Sequence, residues 1–170
     1  MIRVYLVRHG IAGESPLDES RTLTDKGRRR FRRAARAFAR MEEPVNAIFT
    51  SPLVRAVQTA EILAGALKVA RVQVLEELRF EHPPKAVLAA LARQVKDGEA
   101  VALVGHEPQM SGLLAALAQL GPERLEVRKG SILRVDVDAL PPSSAEFKWW
   151  MKPKSRTLST EPPRPPRRKT

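Results

Sequence analysis

The 170-residue chain contains no cysteine. That absence excludes a disulfide framework, thiolate-ligated zinc and any phosphate chemistry that runs through a cysteine nucleophile. Aromatic residues are scarce, 5% of a chain that is 43% hydrophobic, so Leu, Val and Ala must fill the core. No window approaches the roughly 18 apolar residues that span a bilayer, and the N-terminal stretch lacks the basic segment and long apolar run of a signal peptide. A cytoplasmic protein without membrane attachment is expected. Acidic residues are also short, with 19 Asp and Glu against 30 Lys and Arg and a net charge of +11. More than half of that excess, +6, lies in Lys152 to Thr170, where seven Lys or Arg stand against Glu161 alone.

The length suits one ordinary domain. Ile2 to Val7 has the composition of a buried strand, and Arg8-His9-Gly10 stands at its carboxyl end. After a loop to Arg21, Thr24 is a good N-cap for a helix from about Asp25 to Met41, with Phe31, Ala34, Ala35 and Phe38 spaced for its buried face. Its other face carries Arg28, Arg29, Arg32, Arg33, Arg36 and Arg40. Ala47 to Thr50 reads as a second strand, and Ser51-Pro52 as the N-cap and first-turn proline of a helix to about Leu67. Val72 to Leu75 predicts a third strand, Pro83-Pro84 the start of a helix reaching Lys96, and Ala100 to Val104 a fourth strand. Gly105-His106-Glu107-Pro108 then leads into a helix to Leu120. Ile132 to Val137 and Phe147 to Met151 read as two closing strands.

Alternating strands and helices argue for an α/β sheet covered on both faces. The domain is assigned to residues 1–151. Residues 152–170, rich in proline and without apolar periodicity, predict an extended or disordered basic tail.

In open α/β sheets ligands bind beyond the carboxyl ends of the strands. Three such ends carry chemistry: Arg8-His9-Gly10, Ser51-Pro52 leading to Arg55, and Gly105-His106. Two guanidinium groups in one pocket repel unless an anion sits between them, and their planar donor forks suit phosphoryl oxygens. Like charge beside His9 lowers its pKa and leaves a ring nitrogen unprotonated near neutral pH. With no cysteine present, His9 becomes the candidate nucleophile, and Gly10 is expected to let backbone amides approach the anion.

Arg8-His9-Gly10 after an apolar strand, "SPLVRAVQTA" with Arg55 and "VGHEP" with His106, in that order, resemble the histidine phosphatase superfamily from Ile2 to about Met151. The short chain and the "RTLTDKG" loop make it most similar to the SixA type, the phosphohistidine phosphatases. The resemblance implies a three-layer α/β/α sandwich with a mixed, mostly parallel sheet, and no metal or other cofactor. It implies that His9 carries the phosphoryl group while Arg8, Arg55 and His106 bind its oxygens. Arg21 matches a loop arginine and is read as orienting substrate. Relatives often use a carboxylate soon after the third strand as general acid, and Glu77 stands nearest to that place; Glu76 and Glu81 flank it. The implied partner is a phosphohistidine protein in signalling or phosphotransfer. A phosphomonoester phosphatase using the same residues, and a polyanion-binding module built on the Arg-rich helix and basic tail, are the alternatives.

Overall fold

The computed structural model describes residues 1–120 and 124–167. Among them, seven strands form one sheet: β1 (Ile2–Arg8), β2 (Ala47–Thr50), β3 (Val72–Val74), β4 (Ala100–Gly105), β5 (Ile132–Val137), β6 (Ala145–Met151) and β7 (Leu158–Ser159). Their spatial order is β3-β2-β4-β1-β5-β6-β7. The first four run parallel, and β5, β6 and β7 each run antiparallel to the preceding neighbour. Helices α1 (Asp25–Ala39), α2 (Val54–Leu67), α3 (Pro84–Ala92) and α4 (Gln109–Ala118) cover the two faces. This is the α/β architecture with a mixed sheet that the sequence predicts.

The period of two along each strand divides the core. Val4 and Leu6 of β1, with Val101 and Leu103 of β4, pack among Val87, Leu91, Leu113 and Leu117 from α3 and α4. Tyr5 and Val7, with Ala102 and Val104, face Phe31, Phe38, Ala56 and Leu63 from α1 and α2. On this second face Tyr5, Phe38 and Trp149 meet with centroids 5.0 to 6.1 Å apart.

Helix α1 begins where its cap predicts, the Thr24 hydroxyl accepting from the Gly27 N–H at 2.9 Å. Helix α2 starts later than Ser51-Pro52 suggests. Its first residue is Val54, with Leu53 in the cap position. The Ser51 side chain is used elsewhere, and Ser51-Pro52 forms the turn between β2 and the helix.

The largest departure from expectation is the C-terminal segment. Lys152 turns back through hydrogen bonds between its own backbone and that of Arg156 and Thr157. β7 then pairs along Trp150 and Met151 of β6. Pro163 is buried, and its carbonyl accepts from the Glu126 N–H at 3.1 Å. The composition signal for an extended or disordered tail is read from single residues, whereas this segment is held by the unpaired edge that β6 would otherwise present. Residues 168–170 of that segment lie outside the described residues.

Gly27 fixes how the loop after β1 lies on α1, because a Cβ there would sit 2.1 Å from the Ile11 carbonyl oxygen. Gly65 in α2 has open space around it. Alanine is favoured over glycine inside helices by up to about 1 kcal/mol, so Gly65→Ala is expected to raise the urea midpoint of unfolding. Gly27→Ala should lower it, by about 1–3 kcal/mol of overpacking. A stabilised Gly27→Ala variant would contradict this packing.

Candidate active site

The order of the sheet brings together residues far apart in the chain. β1 and β4 are parallel neighbours in a register that sets Arg8 beside Gly105, and the His9 N–H continues the ladder to the Gly105 carbonyl at 3.0 Å. β2 lies on the other side of β4, and the Ser51 N–H bonds the Val104 carbonyl at 2.9 Å. Three strand ends thus open on one cleft of about 290 Å³. It lies beside the β1–β4 pair, where successive connections leave toward opposite edges of the sheet, the position that favours ligand binding in open sheets.

His9 is 4% exposed. Its Nδ1 lies 2.7 Å from the Gly10 carbonyl oxygen, an acceptor only, so the ring proton resides on Nδ1 and Nε2 keeps its lone pair. The Arg55 Nε donates to that Nε2 at 3.3 Å. Arg55, in the first turn of α2, is equally buried, and its two terminal nitrogens donate to the Asp18 carbonyl at 2.8 Å and the Asp18 carboxylate at 3.1 Å. Arg8 donates to the Val127 carbonyl at 2.8 Å, and its Nε is buried without a partner. His106 has Nε2 2.7 Å from the Ser51 hydroxyl and a buried Nδ1 without a partner. Since the Ser51 oxygen accepts from the Leu53 N–H, its own proton can go to Nε2 and leave the imidazole proton on Nδ1.

The two imidazoles stand 5.1 Å apart, and both have a pKa lowered to about 3. Burial is the largest cause for each. For His9 the bond to the Gly10 carbonyl opposes it, and Arg55, Arg8 and Lys129 add to the lowering. The sequence expectation rests on like charge, which is present but secondary to desolvation.

Gly10 has another task than the predicted one. Its N–H donates to the Thr59 hydroxyl at 3.1 Å and is not offered to the cleft. The residue is small because Leu23, Gly27 and Phe31 crowd the place of a Cβ.

Arg21 lines the cleft, its Nε held by the Gly13 carbonyl at 2.9 Å and its fork on the Asp18 carboxylate at 3.1 Å. Glu77 does not line it. A 3-10 turn over Glu76–Leu78 is followed by Phe80, which supplies the lining from this segment, and the buried Gln109 amide holds the carbonyls of Glu77, Arg79 and His82. The carboxylates that do line the cleft are Asp18 and Glu107, joined by the cation Lys129. Sequence reasoning missed these. Glu107 stands beside His106 in "VGHEP", where it reads as a helix cap, and it does accept from the Ser111 N–H at 2.8 Å. Asp18 and Lys129 carry no local signal, because loop closure alone brings them in. Among the described residues no three His, Asp or Glu side chains converge as a metal site requires, and no helix is long and apolar enough to cross a membrane.

A family model for the histidine phosphatase superfamily (branch 1) matches residues 4–81, a span that holds Arg8, His9 and Arg55. The chain belongs to this superfamily. An uncharacterised protein of Picosynechococcus is 36% identical over 138 residues, 78% of this chain and 83% of that protein. Among solved structures, the protein histidine phosphatase SixA complexed with tungstate superposes with a TM-score of 0.81 at 27% identity, over 89% of this chain and 97% of that one. A mycobacterial glucosyl-3-phosphoglycerate phosphatase with inorganic phosphate has a TM-score of 0.67 at 20% identity, over 86% and 95% of the two chains, a likeness of fold alone. The histidine phosphatase fold therefore carries this cleft, and its mixed sheet is the one that the motifs imply.

The electrostatics of the cleft can be checked in two ways. A histidine with a lowered pKa in the folded state stabilises above its unfolded value near 6.5, and that stability is lost as pH falls from there toward about 3, because the unfolded chain takes up the proton first. The thermal midpoint should drop over this window, and His106→Gln should flatten the drop; an unchanged slope would show that the imidazoles do not differ in protonation between the two states. Separately, burial raises the Asp18 carboxyl, but hydrogen bonds and charge from Arg21 and Arg55 outweigh it and hold it below the usual range. The ionised group competes with any oxyanion for Arg55. Asp18→Asn should tighten inorganic phosphate about 3- to 10-fold by calorimetry, and weaker binding would refute the competition.

Proposed function

We propose that this histidine phosphatase hydrolyses phosphohistidine on a protein, through a phosphoryl group carried transiently on His9. The observation that carries the reading is the set of unsatisfied groups at one point. His9 presents an unprotonated Nε2 whose partner is the Arg55 Nε, a donor that an oxyanion can draw away, while Arg8 Nε and His106 Nδ1 are buried donors without partners among the described residues. Buried donors left unpaired cost free energy, and an oxyanion would satisfy both.

In the first step His9 Nε2 attacks phosphorus in line with the departing imidazole nitrogen. The P–N bond to substrate breaks as the P–Nε2 bond forms. Arg8, Arg55 and His106 hold the equatorial oxygens and stabilise their charge in the transition state. Arg55 exchanges the Asp18 carboxylate for these oxygens, and Arg21 orients the substrate at the mouth. In the second step water attacks phosphorus, the P–Nε2 bond breaks, and phosphate leaves with neutral His9 restored.

The leaving group supports phosphohistidine as substrate. An imidazole is itself basic near neutral pH and takes its proton from solvent, whereas an alkoxide needs a general acid. Glu77 does not line the cleft, Asp18 is held in its ionised form, and Glu107 is engaged with Ser111. The two carboxylates that do line the cleft are thus already bonded, Asp18 to Arg21 and Arg55 and Glu107 to Ser111. The likeness to SixA, described as a protein histidine phosphatase, supports the same class. Hydrolysis of small phosphate esters is the second reading, favoured by the two carboxylates lining the cleft.

The test is a rapid quench at alkaline pH with labelled phosphohistidine peptide and, in parallel, a labelled serine phosphate peptide. Wild type should trap label and turn over phosphohistidine faster, while His9→Ala should trap none and lose about 10⁴-fold in rate. Faster turnover of the ester would assign the second reading, and label retained by His9→Ala would remove His9 as nucleophile.

A further inference from the structure

The cleft does not end at its own rim. Lys129 lines it and also lines a groove between α1 and the turn that leads from β6 to β7. Next to the cleft this groove has Ile11 and Pro153 among its lining residues, with Arg30, Lys152 and Lys154 around them. Further out, Arg30 and Lys154 are joined by Lys26, Arg29, Arg33 and Arg156. Among the described residues no acidic side chain lines either part.

These cations are uncompensated. Among the described residues, none of Lys26, Arg29, Arg30, Arg33, Lys152, Lys154 and Arg156 forms an ion pair. The Arg156 guanidinium donates to the Lys154 carbonyl, and Lys152 rests over the Trp150 ring. Exposed arginines of an ordinary helix face are usually laced with acids at i+3 or i+4, and α1 has Asp25 alone, in its first turn. The tail that composition sets apart from the domain is the opposite wall of this groove. Two basic segments from opposite ends of the chain therefore form one surface, continuous with the anion cleft through Lys129.

We propose that this groove docks an acidic, extended segment of the phosphorylated protein, the residues that flank its phosphohistidine. The inference rests on the function proposed above and adds to it a basis for substrate choice. A ligand whose phosphoryl group occupies the cleft must leave past Lys129, and a flanking polypeptide is the part long enough to follow the groove outward. Carboxylates spaced along it meet Arg30, Lys154 and Arg33 in turn, while Ile11 and Pro153 offer apolar contact to the backbone and side-chain stems. A single-stranded nucleic acid fits less well, because sequence-tolerant binding of bases relies on aromatic platforms. Among the described residues the exposed large hydrophobics are Met1, Leu17, Val54, Val72, Val74 and Leu158, none of them aromatic.

The experiment compares two phosphohistidine peptides, one with acidic and one with neutral flanks, together with a small phosphoramidate. The enzymes are wild type and the combined variant Lys26→Glu, Arg29→Glu, Arg33→Glu, whose positions lie outside the cleft. Wild type should favour the acidic peptide about 10-fold or more in kcat/KM, and the preference should shrink steeply with salt. The variant should lose or invert the preference while turning over the phosphoramidate within about 2-fold of wild type. Equal use of the two peptides by wild type, or a preference that survives the charge reversal, would overturn the proposal. If the variant fails to fold, the salt dependence of wild type decides alone. Fluorescence anisotropy of the acidic peptide without its phosphoryl group separates this inference from the catalytic one: binding that the variant loses supports the groove even if the enzyme proves to act on esters, and its absence refutes the groove even if phosphohistidine is hydrolysed. An RNA oligonucleotide that displaces the acidic peptide and binds more tightly through the same residues would reassign the surface to nucleic acid.

Discussion

The parallel pairing of β1 with β4 is the constraint on which the cleft depends. Its register carries His9 and His106 to the same height on adjacent strands, and the bond from the His9 N–H to the Gly105 carbonyl extends the ladder one step beyond the sheet. The strands are buried on both faces, so neither can slip by one residue without turning Val4 and Leu6 from one core to the other. The positions of the two imidazoles are therefore fixed by the packing of the whole sheet and not by the loops that surround them. Under the proposed function, such a rigid strand end would limit the motion of the His9 Nε2 that dilutes a near-attack geometry.

Charge repulsion is managed by backbone carbonyls as much as by acids. Arg8 is held by the Val127 carbonyl, Arg21 by that of Gly13 and Arg55 by that of Asp18. Carbonyl dipoles satisfy donors without cancelling positive charge, so the cleft keeps its field for an incoming anion. Burial keeps the histidines neutral in that field, which removes two further cations that would repel each other. A dianion bound between them would reverse the balance and raise the proton affinity of both rings, linking anion binding to proton uptake.

Much of this is legible in the sequence, for identifiable reasons. Strand ends marked by Arg8-His9 and Gly105-His106 stand out because polar residues abruptly follow apolar runs, and the Thr24 cap has a local chemistry that reads directly. Arg55 can be placed from its distance to the β2 end, although α2 begins at Val54 and not at Ser51. What is not legible depends on closure in space. Asp18 reaches Arg55 across 37 positions, and Lys129 arrives from the far side of β1. Distance along the chain favours Glu77, but a single 3-10 turn gives that place to Phe80. The segment after Lys152 misleads because proline-rich composition describes a chain without neighbours, whereas here an open strand edge receives it.

That segment answers to two demands at once. As β7 it pairs with Trp150 and Met151 at the carboxyl end of β6, and the prolines that follow cannot donate to a further strand, so the pairing stops after two residues. As a turn it stands over the Trp150 ring and lends its cations to the surface beside α1. Strand pairing and surface charge are therefore carried by the same short stretch of chain. A substitution there acts on both: one that disturbs Leu158 or Ser159 releases the pairing with Trp150 and Met151, and a neutral residue in place of Lys152 or Lys154 lowers the charge of the neighbouring surface.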